Sequence, residues 1–489
     1  MTHDTGLRRE ASAASPIPAI LPRGAGHRFV WYADSCSGVP AAPHEATFAA
    51  VNAVVARLKP PPEFICFPGD EIAGLTADTE ALRRQWAHWL DREMAWLDRR
   101  AIPLFHTTGN HTTYDVASEQ VFREVLSHLP RNGPAGQEGL SYFVRRGDLL
   151  LVFVNTACAA LGGEGRVETE WLEQTLAANA DARRKLVFGH HPAHSVNGFA
   201  GPFQRDIEFA NARAFWQVLV GHQVLAYVCS HILAFDVQVH DGVLQIVTAG
   251  AGTAHRMPAE HEYLHCVQGA LDEQGLRYQV LDSAGHVREW LEWPISLPAA
   301  AEWQPLAKGE SQAPIAVTEH RDAGEARIIA WQFSGIATDS RDGSPQTLLS
   351  VCDPGLALAP LWIGLVGKEQ RLTVLISPAS GRSPHTWHGP QWPADAKFSF
   401  QLAIHTGMGP GGILWRRDNA TSWSSLTAAS PWGAERLTWP SRWFVGYGKR
   451  GPADQPFRGA GLNVSWHSEA LNPGQDRDGA SQTLSQPAG

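Results

Sequence analysis

Five short clusters place carboxylate, amide and imidazole side chains just beyond apolar runs: Asp34-Ser35-Cys36, Gly69-Asp70, Gly109-Asn110-His111, Gly189-His190-His191-Pro192 and Ser230-His231-Ile232-Leu233. Each alone is ordinary, since a Gly-Asp pair is commonly a turn and a strand-end histidine is commonly a hydrogen-bonded surface group. Together they supply two Asp, one Asn and two His, a hard and borderline ligand set suited to Mn, Fe, Zn or Co. Their shared position after strand-like runs is also where open α/β sheets place ligands.

The elements that must position these clusters alternate in type. Phe29 to Ala33, Phe64 to Phe67, Leu104 to Thr107, Leu149 to Asn155, Leu186 to Phe188 and Val224 to Val228 read as strands. Windows 44–58, 78–99, 116–128, 167–180 and 207–220 carry helical periodicity, with Asp78, Asp91 and Glu93 expected on the exposed side of the longest. Residues 27–295 therefore read as an α/β domain. Turn residues at Asp241-Gly242 and Ser283-Ala284-Gly285 predict two hairpins, so the sheet is expected to end in antiparallel strands. After Trp293-Pro294 a Pro/Ala-rich linker opens a second half, 296–473, with alternating apolar and polar residues and little helical periodicity, the pattern of a β-sandwich. Gln346 to Val351, Arg371 to Ile376, Phe398 to His405 and Gly461 to Trp466 are its clearest strands. Residues 1–26 read as a flexible tail and 474–489 as a disordered one.

The order of the clusters resembles that of the calcineurin-like metallophosphoesterases, including purple acid phosphatases, whose pattern runs D-x-H, G-D-x-x-D, G-N-H-E/D, G-H and G-H-x-H. The resemblance covers about residues 27–295 and is strongest at Phe67-Pro68-Gly69-Asp70, Thr108-Gly109-Asn110-His111 and Phe188-Gly189-His190-His191-Pro192. It implies a metallophosphoesterase-type β-sandwich flanked by helices, followed here by an all-β jelly-roll domain. It also implies hydrolysis of phosphate mono- or diesters by a metal-activated water, with Mn, Fe, Zn or Co as cofactor. Asp70 would bridge two ions, and Asn110, His190 and His231 would complete the shell of the second.

The first ion should have Asp34 and two histidines, but Cys36 and Leu233 stand at the histidine positions, and Ala73 stands where purple acid phosphatases supply a tyrosine. One tight metal is therefore expected, with Cys36 as a thiolate or Glu71 as a carboxylate the open ways to fill the other position. His111 is implied to protonate or stabilise the leaving oxygen, although Thr112 replaces the acidic residue usual after it. Asp115 or Asp236 would orient an imidazole, or else be a solvated turn carboxylate. His106, His191, His194 and His255 are expected to line the substrate pocket or to support the ligands from behind. The depleted first site favours a second function class, a weakened phosphatase fold that binds glycans or phosphoglycans.

A net charge of −9 leaves no basic excess for reading nucleic acid, and there is no Walker P-loop, Gly-x-Ser-x-Gly elbow or paired CxxC. The expected partner is a small-molecule phosphoester. No run of about 18 apolar residues predicts a membrane span. Six cysteines without dense spacing predict reduced thiols and a cytoplasmic setting. Eleven of the 19 tryptophans follow residue 300. They either fill the space between two sheets or form stacking platforms for carbohydrate. The glycine-broken stretch Phe400 to Trp415 resembles an edge of a concanavalin-like jelly roll.

Overall fold

The computed structural model describes residues 15–157, 165–196, 206–253, 262–307, 315–317, 326–338, 343–351, 359–377, 384–429, 443–450 and 453–470. His255 and the expected tail at 474–489 lie outside these residues.

The first half forms two six-stranded mixed sheets. In one, the strands run in the order Phe235–His240, Val243–Thr248, Ala226–Cys229, Arg184–Phe188, Leu149–Phe153 and Tyr142–Arg146. In the other, the order is Val287–Trp293, Gly275–Asp282, His265–Asp272, His27–Trp31, Phe64–Phe67 and Leu104–His106. The central strands pair in parallel and the hairpin strands antiparallel.

Alternation within one strand shows how the layers stack. Leu149, Leu151 and Phe153 join the core between the sheets, whereas Leu150 and Val152 face the opposite side and pack with two helices. Phe105 meets Phe153 across the two sheets with ring centroids 5.6 Å apart. Helices α1 (Pro43–Ala56), α2 (Thr79–His88) and α3 (Val116–Val125) cover the second sheet, and α4 (Thr169–Ala178) and α5 (Phe209–Gly221) cover the first. This is the helix-flanked sandwich of the metallophosphoesterase type.

Local chemistry sets the element ends. Asp78 caps α2 through the Glu80 and Ala81 N–H groups, and Asp115 with Ser118 forms a capping box on α3. Asp115 is thus a helix cap. The expected helix over 78–99 is shorter, because α2 gives way to a π-helical turn, Trp89–Glu93. Glu93 is not on the exposed side. Its carboxylate turns inward and accepts hydrogen bonds from Ser37 Oγ and the Gly38 N–H. The Asp241-Gly242 turn has φ values of 50° and 86°, both in the left-handed region that a two-residue hairpin requires. A further hairpin joins His265–Asp272 to Gly275–Asp282.

Residues 15–26, expected to belong to a flexible tail, are held in place. Ile17–Pro18 pairs in parallel with Leu58–Lys59, and Arg23 donates to Glu292 at 2.6 Å, so residues 15–26 lie against the domain.

The second half is all-β, with a six-stranded and a seven-stranded antiparallel sheet around a separate core. Trp331, Trp362, Trp387, Trp392 and Trp423 are buried, as a core-filling role requires. This half covers one edge of each sheet of the first. Ser425 Oγ accepts from the Val239 N–H and Ser424 Oγ from the Asp241 N–H, while Gly407 O accepts from the Trp290 N–H. Unpaired edge strands invite aggregation, and Phe235–His240 and Val287–Trp293 are the two edges covered here.

Gly407 fits this contact because it has no side chain: a Cβ there would stand 2.4 Å from Trp290 O and 2.5 Å from the indole. Gly407→Ala should destabilise the protein by about 1–3 kcal/mol, the usual scale of overpacking. A thermal melt should show the lowered midpoint, and an unchanged midpoint would mean that the two halves are not packed together at this position.

Candidate metal centre

The five clusters follow five parallel-paired strands, and the facing of the two sheets brings their ends together. Asp34, Asp70 and Asn110 follow His27–Trp31, Phe64–Phe67 and Leu104–His106, while His190 and His231 follow Arg184–Phe188 and Ala226–Cys229. The loops are locked to one another by backbone hydrogen bonds from Asp34 N to Gly69 O (3.2 Å), Cys36 N to Asp70 O (2.8 Å) and Ser37 N to Glu71 O (3.0 Å). Asp34, Cys36, Asp70 and His231 have φ values of 61°, 42°, 58° and 70°. Left-handed backbone is costly for side-chain-bearing residues and gathers where function holds it in place. Gly109 permits a close approach, since a Cβ there would stand 2.2 Å from Asp70 Oδ1.

The side chains converge. His190 Nε2 lies 3.2 Å from Asp70 Oδ2, 3.0 Å from Asn110 Oδ1 and 3.2 Å from His231 Nδ1, and His231 Nδ1 lies 2.9 Å from Asn110 Oδ1. His190 Nδ1 donates its N–H to Pro68 O at 3.0 Å, which turns Nε2 toward the group. Asp34 Oδ2 accepts from the His231 N–H at 3.2 Å, and ligand atoms of Asp34, Asp70 and His190 lie within 4.8 Å of one another.

In a site this buried, the charges must answer one another. Burial raises the Asp34 carboxyl to about 7, with the Asp70 charge adding to the shift and His190 opposing it. Burial opposes ionisation of Asp70 as well, but the charges of His190 and His111 prevail and hold it below the usual carboxylate range. For His190, burial is outweighed by the Asp70 carboxylate, which raises the imidazole to about 9. A proton on His190 thus supplies positive charge among two carboxylates, an amide oxygen and a second imidazole. That donor set fits a divalent cation.

His111 stands at the rim. Its N–H donates to Asp70 Oδ1 (2.8 Å), its Nδ1 donates to Ala73 O (2.7 Å), and its Nε2 is 4.0 Å from Asp70 Oδ2. Thr112 occupies the position after His111 as a loop lock, its Oγ1 accepting from the Gly109 N–H. Cys36 Sγ shares a 4.8 Å neighbourhood with ligand atoms of Asp70 and His111. Glu71 turns away to pair with His106 at 2.7 Å, and both side chains are fully buried. Burial pushes the Glu71 carboxyl well up and the His106 imidazole well down, so the pair is neutral. His106 is a core residue, packed against Trp86 and Trp89, and does not line a pocket. His191 lies 3.0 Å from Thr156 Oγ1, and His194 stacks on His240 with centroids 3.7 Å apart. Asp236 is buried and accepts from Gln238, so it is no solvated turn carboxylate.

Two supports were missed from sequence. Thr156 Oγ1 accepts the N–H groups of both His190 and His191, and Glu93 fixes the loop after Cys36. A polar residue just past the apolar strand Leu149–Phe153 was the available signal for Thr156. Nothing local marks Glu93.

Residues 27–235 match the family model described as calcineurin-like phosphoesterase, and this region of the chain is a calcineurin-like phosphoesterase domain. No curated protein matches the chain. Among solved structures, it is similar to the purple acid phosphatase PPD1 from yellow lupin (Lupinus luteus) seeds at 14% identity, over 59% of each chain, with a TM-score of 0.41. GAP50, the anchor in the inner membrane complex of Plasmodium, is 14% identical over 56% of this chain and 90% of its own, with a TM-score of 0.39. A dimetal phosphatase from Danio rerio is 16% identical over 53% of this chain and 96% of its own, with a TM-score of 0.37. Among the described residues, no helix is long and apolar enough to cross a membrane.

Metal binding should release protons, because a ligating imidazole must give up the proton that His190 holds in the metal-free protein. Affinity should therefore rise with pH until about 9, by about tenfold per unit between about 7 and about 9, where His190 alone holds a displaceable proton, and more steeply below about 7, where Asp34 holds one as well. Calorimetry in buffers of differing ionisation heat measures this directly, and heats independent of the buffer would contradict it.

Proposed function

We propose that the phosphoesterase domain hydrolyses small-molecule phosphate mono- or diesters with one tightly held divalent ion. The supporting observation is the convergence of Asp70, Asn110, His190 and His231 on one point, with His190 Nδ1 pinned to Pro68 O so that Nε2 faces inward. Asp34 lies beside this group and adds a carboxylate. An ion bound there supplies Lewis-acid charge for phosphoryl oxygens and acidifies water.

The chain's own residues orient and protonate. The main-chain N–H of His111 holds Asp70 Oδ1, which leaves Oδ2 directed at His190. Ala73 O restrains the His111 Nδ1–H, so the ring turns Nε2 to the site, and a proton carried there would be delivered to a departing alkoxide. His111 is about one-quarter exposed, whereas Asp70 and His190 are almost wholly covered, so it is the group a substrate can reach. The buried indoles of the second half give no support to the glycan-binding alternative.

A screen of aryl phosphate mono- and diesters with Mn, Zn, Fe, Co and Mg tests the activity. His111→Asn should keep the metal but lose roughly 10²-fold in turnover on alkyl esters, with a smaller loss on nitrophenyl esters that need no proton. Equal losses on both substrates would remove the proton-donor role, and no turnover with any metal or ester would remove the proposed activity.

A further inference from the structure

Asp70 and His190 are almost wholly covered while His111 is partly exposed, so the centre opens to solvent on the His111 side. Three neighbouring loops border that opening. Residues 36–39, 71–75 and 109–114 are joined by hydrogen bonds from the Ser37 N–H to Glu71 O (3.0 Å), the Ala73 N–H to Ser37 O (2.8 Å) and the Leu75 N–H to His111 O (3.0 Å). Gly74 seats the middle loop against the third, since a Cβ there would stand 1.7 Å from His111 O.

These loops carry apolar side chains that folding does not call for. Among the described residues seven large hydrophobic side chains are exposed, and five of them, Val39, Leu75, Tyr114, Val116 and Phe209, follow closely on the loops at this end of the domain. Phe209 belongs with them because the nearby Ile207 N–H bonds Pro192 O at 2.8 Å, beside the His190 cluster. Single exposed hydrophobics are ordinary, but a group of them around a cleft marks a place for an apolar ligand. Leu75 makes the case independently. Its φ of 52° is left-handed backbone, which costs a leucine more than an asparagine or glycine, and a side chain 48% exposed gains little burial to offset that cost. Neither backbone nor core selects leucine at this position.

We propose that Leu75 and Tyr114 form an apolar wall beside His111 that selects phosphoesters whose leaving group is an alkyl chain or an aromatic ring over those whose leaving group is a sugar or other polyhydroxy alcohol. This rests on the reading that esters are hydrolysed at the metal centre. A phosphoryl group held there places its outward ester oxygen on the open His111 side, and the carbons attached to that oxygen extend past the two flanking residues. Tyr114, 42% exposed, offers a ring face to those carbons and keeps its hydroxyl at the wet end. A methylene fully buried against such a wall gains about fourfold in affinity, and one covered on a single side gains less.

Ethyl-, butyl- and hexylphosphonate, which are not hydrolysed, test this by calorimetry on the metal-loaded full chain. Affinity should rise at least about tenfold from ethyl to hexyl in the wild type, and by less than about threefold in a Leu75→Asn/Tyr114→Ser double variant. Both positions are half exposed and asparagine suits the backbone at 75, so the variant should keep its fold, which circular dichroism checks. Equal affinities across the series in the wild type overturn the proposal whether or not the variant folds, as does a rise that survives in a folded double variant. Wild-type binding to phosphatidylcholine vesicles alongside a flat phosphonate series would make these residues a membrane-facing rim and overturn it too. The underlying activity fails separately. Affinity that rises with chain length in a protein that hydrolyses no ester would remove the hydrolysis and leave the apolar wall, whereas ethyl and hexyl phosphates turned over with equal kcat/KM would remove the wall and leave the hydrolysis.

Discussion

Asp70, Asn110, His190 and His231 press their ligand atoms to within about hydrogen-bonding distance of each other in a largely buried site, and such a group is favoured by positive charge at its centre. Much of the first half of the molecule serves this requirement. Parallel strands from two sheets end at the same place, their loops tie backbone to backbone, and left-handed conformations at Asp34, Asp70 and His231 turn the side chains inward. The proton on His190 meets the requirement in the absence of an ion, which couples metal binding to pH.

How much of this was legible depended on whether the signal was local. The strands Phe64–Phe67, Gln346–Val351 and Arg371–Ile376 lie where their patterns put them, because period-two alternation or an apolar run between turn residues is a local property. The five strand-end clusters were legible for the same reason, since a strand, a turn residue and a polar side chain follow one another within a few positions. The direction of a side chain after a strand ends was not. Glu71 neighbours Asp70 in sequence but points the other way into a buried pair with His106, and no alternation rule applies across a residue with φ 58°. Long-range supports were equally silent, as Glu93 shows by reaching back 56 residues to Ser37. The pairing of Ile17–Pro18 was not legible either, because it owes its place to a partner at Leu58–Lys59, not to its own composition.

The all-β half contributes closure. Its own core is separate, yet Trp303, Ile328, Ala403, Met408 and Trp423 pack into the core of the phosphoesterase half. Glycine at 407 and serines at 424 and 425 reach the two exposed sheet edges where larger or apolar residues would not pair with free N–H groups. The stretch that sequence marks as a glycine-broken edge is in the structure part of a contact surface between the halves.

The central claim is that one cation is held tightly by Asp70, Asn110, His190 and His231. Elemental analysis of protein purified without chelators, alongside Asp70→Ala and His190→Ala purified in the same way, tests it most directly. About one equivalent of metal in the wild type and nearly none in either variant, with folded circular-dichroism spectra throughout, is the predicted result. Full metal content retained in either variant would contradict the assignment of the site.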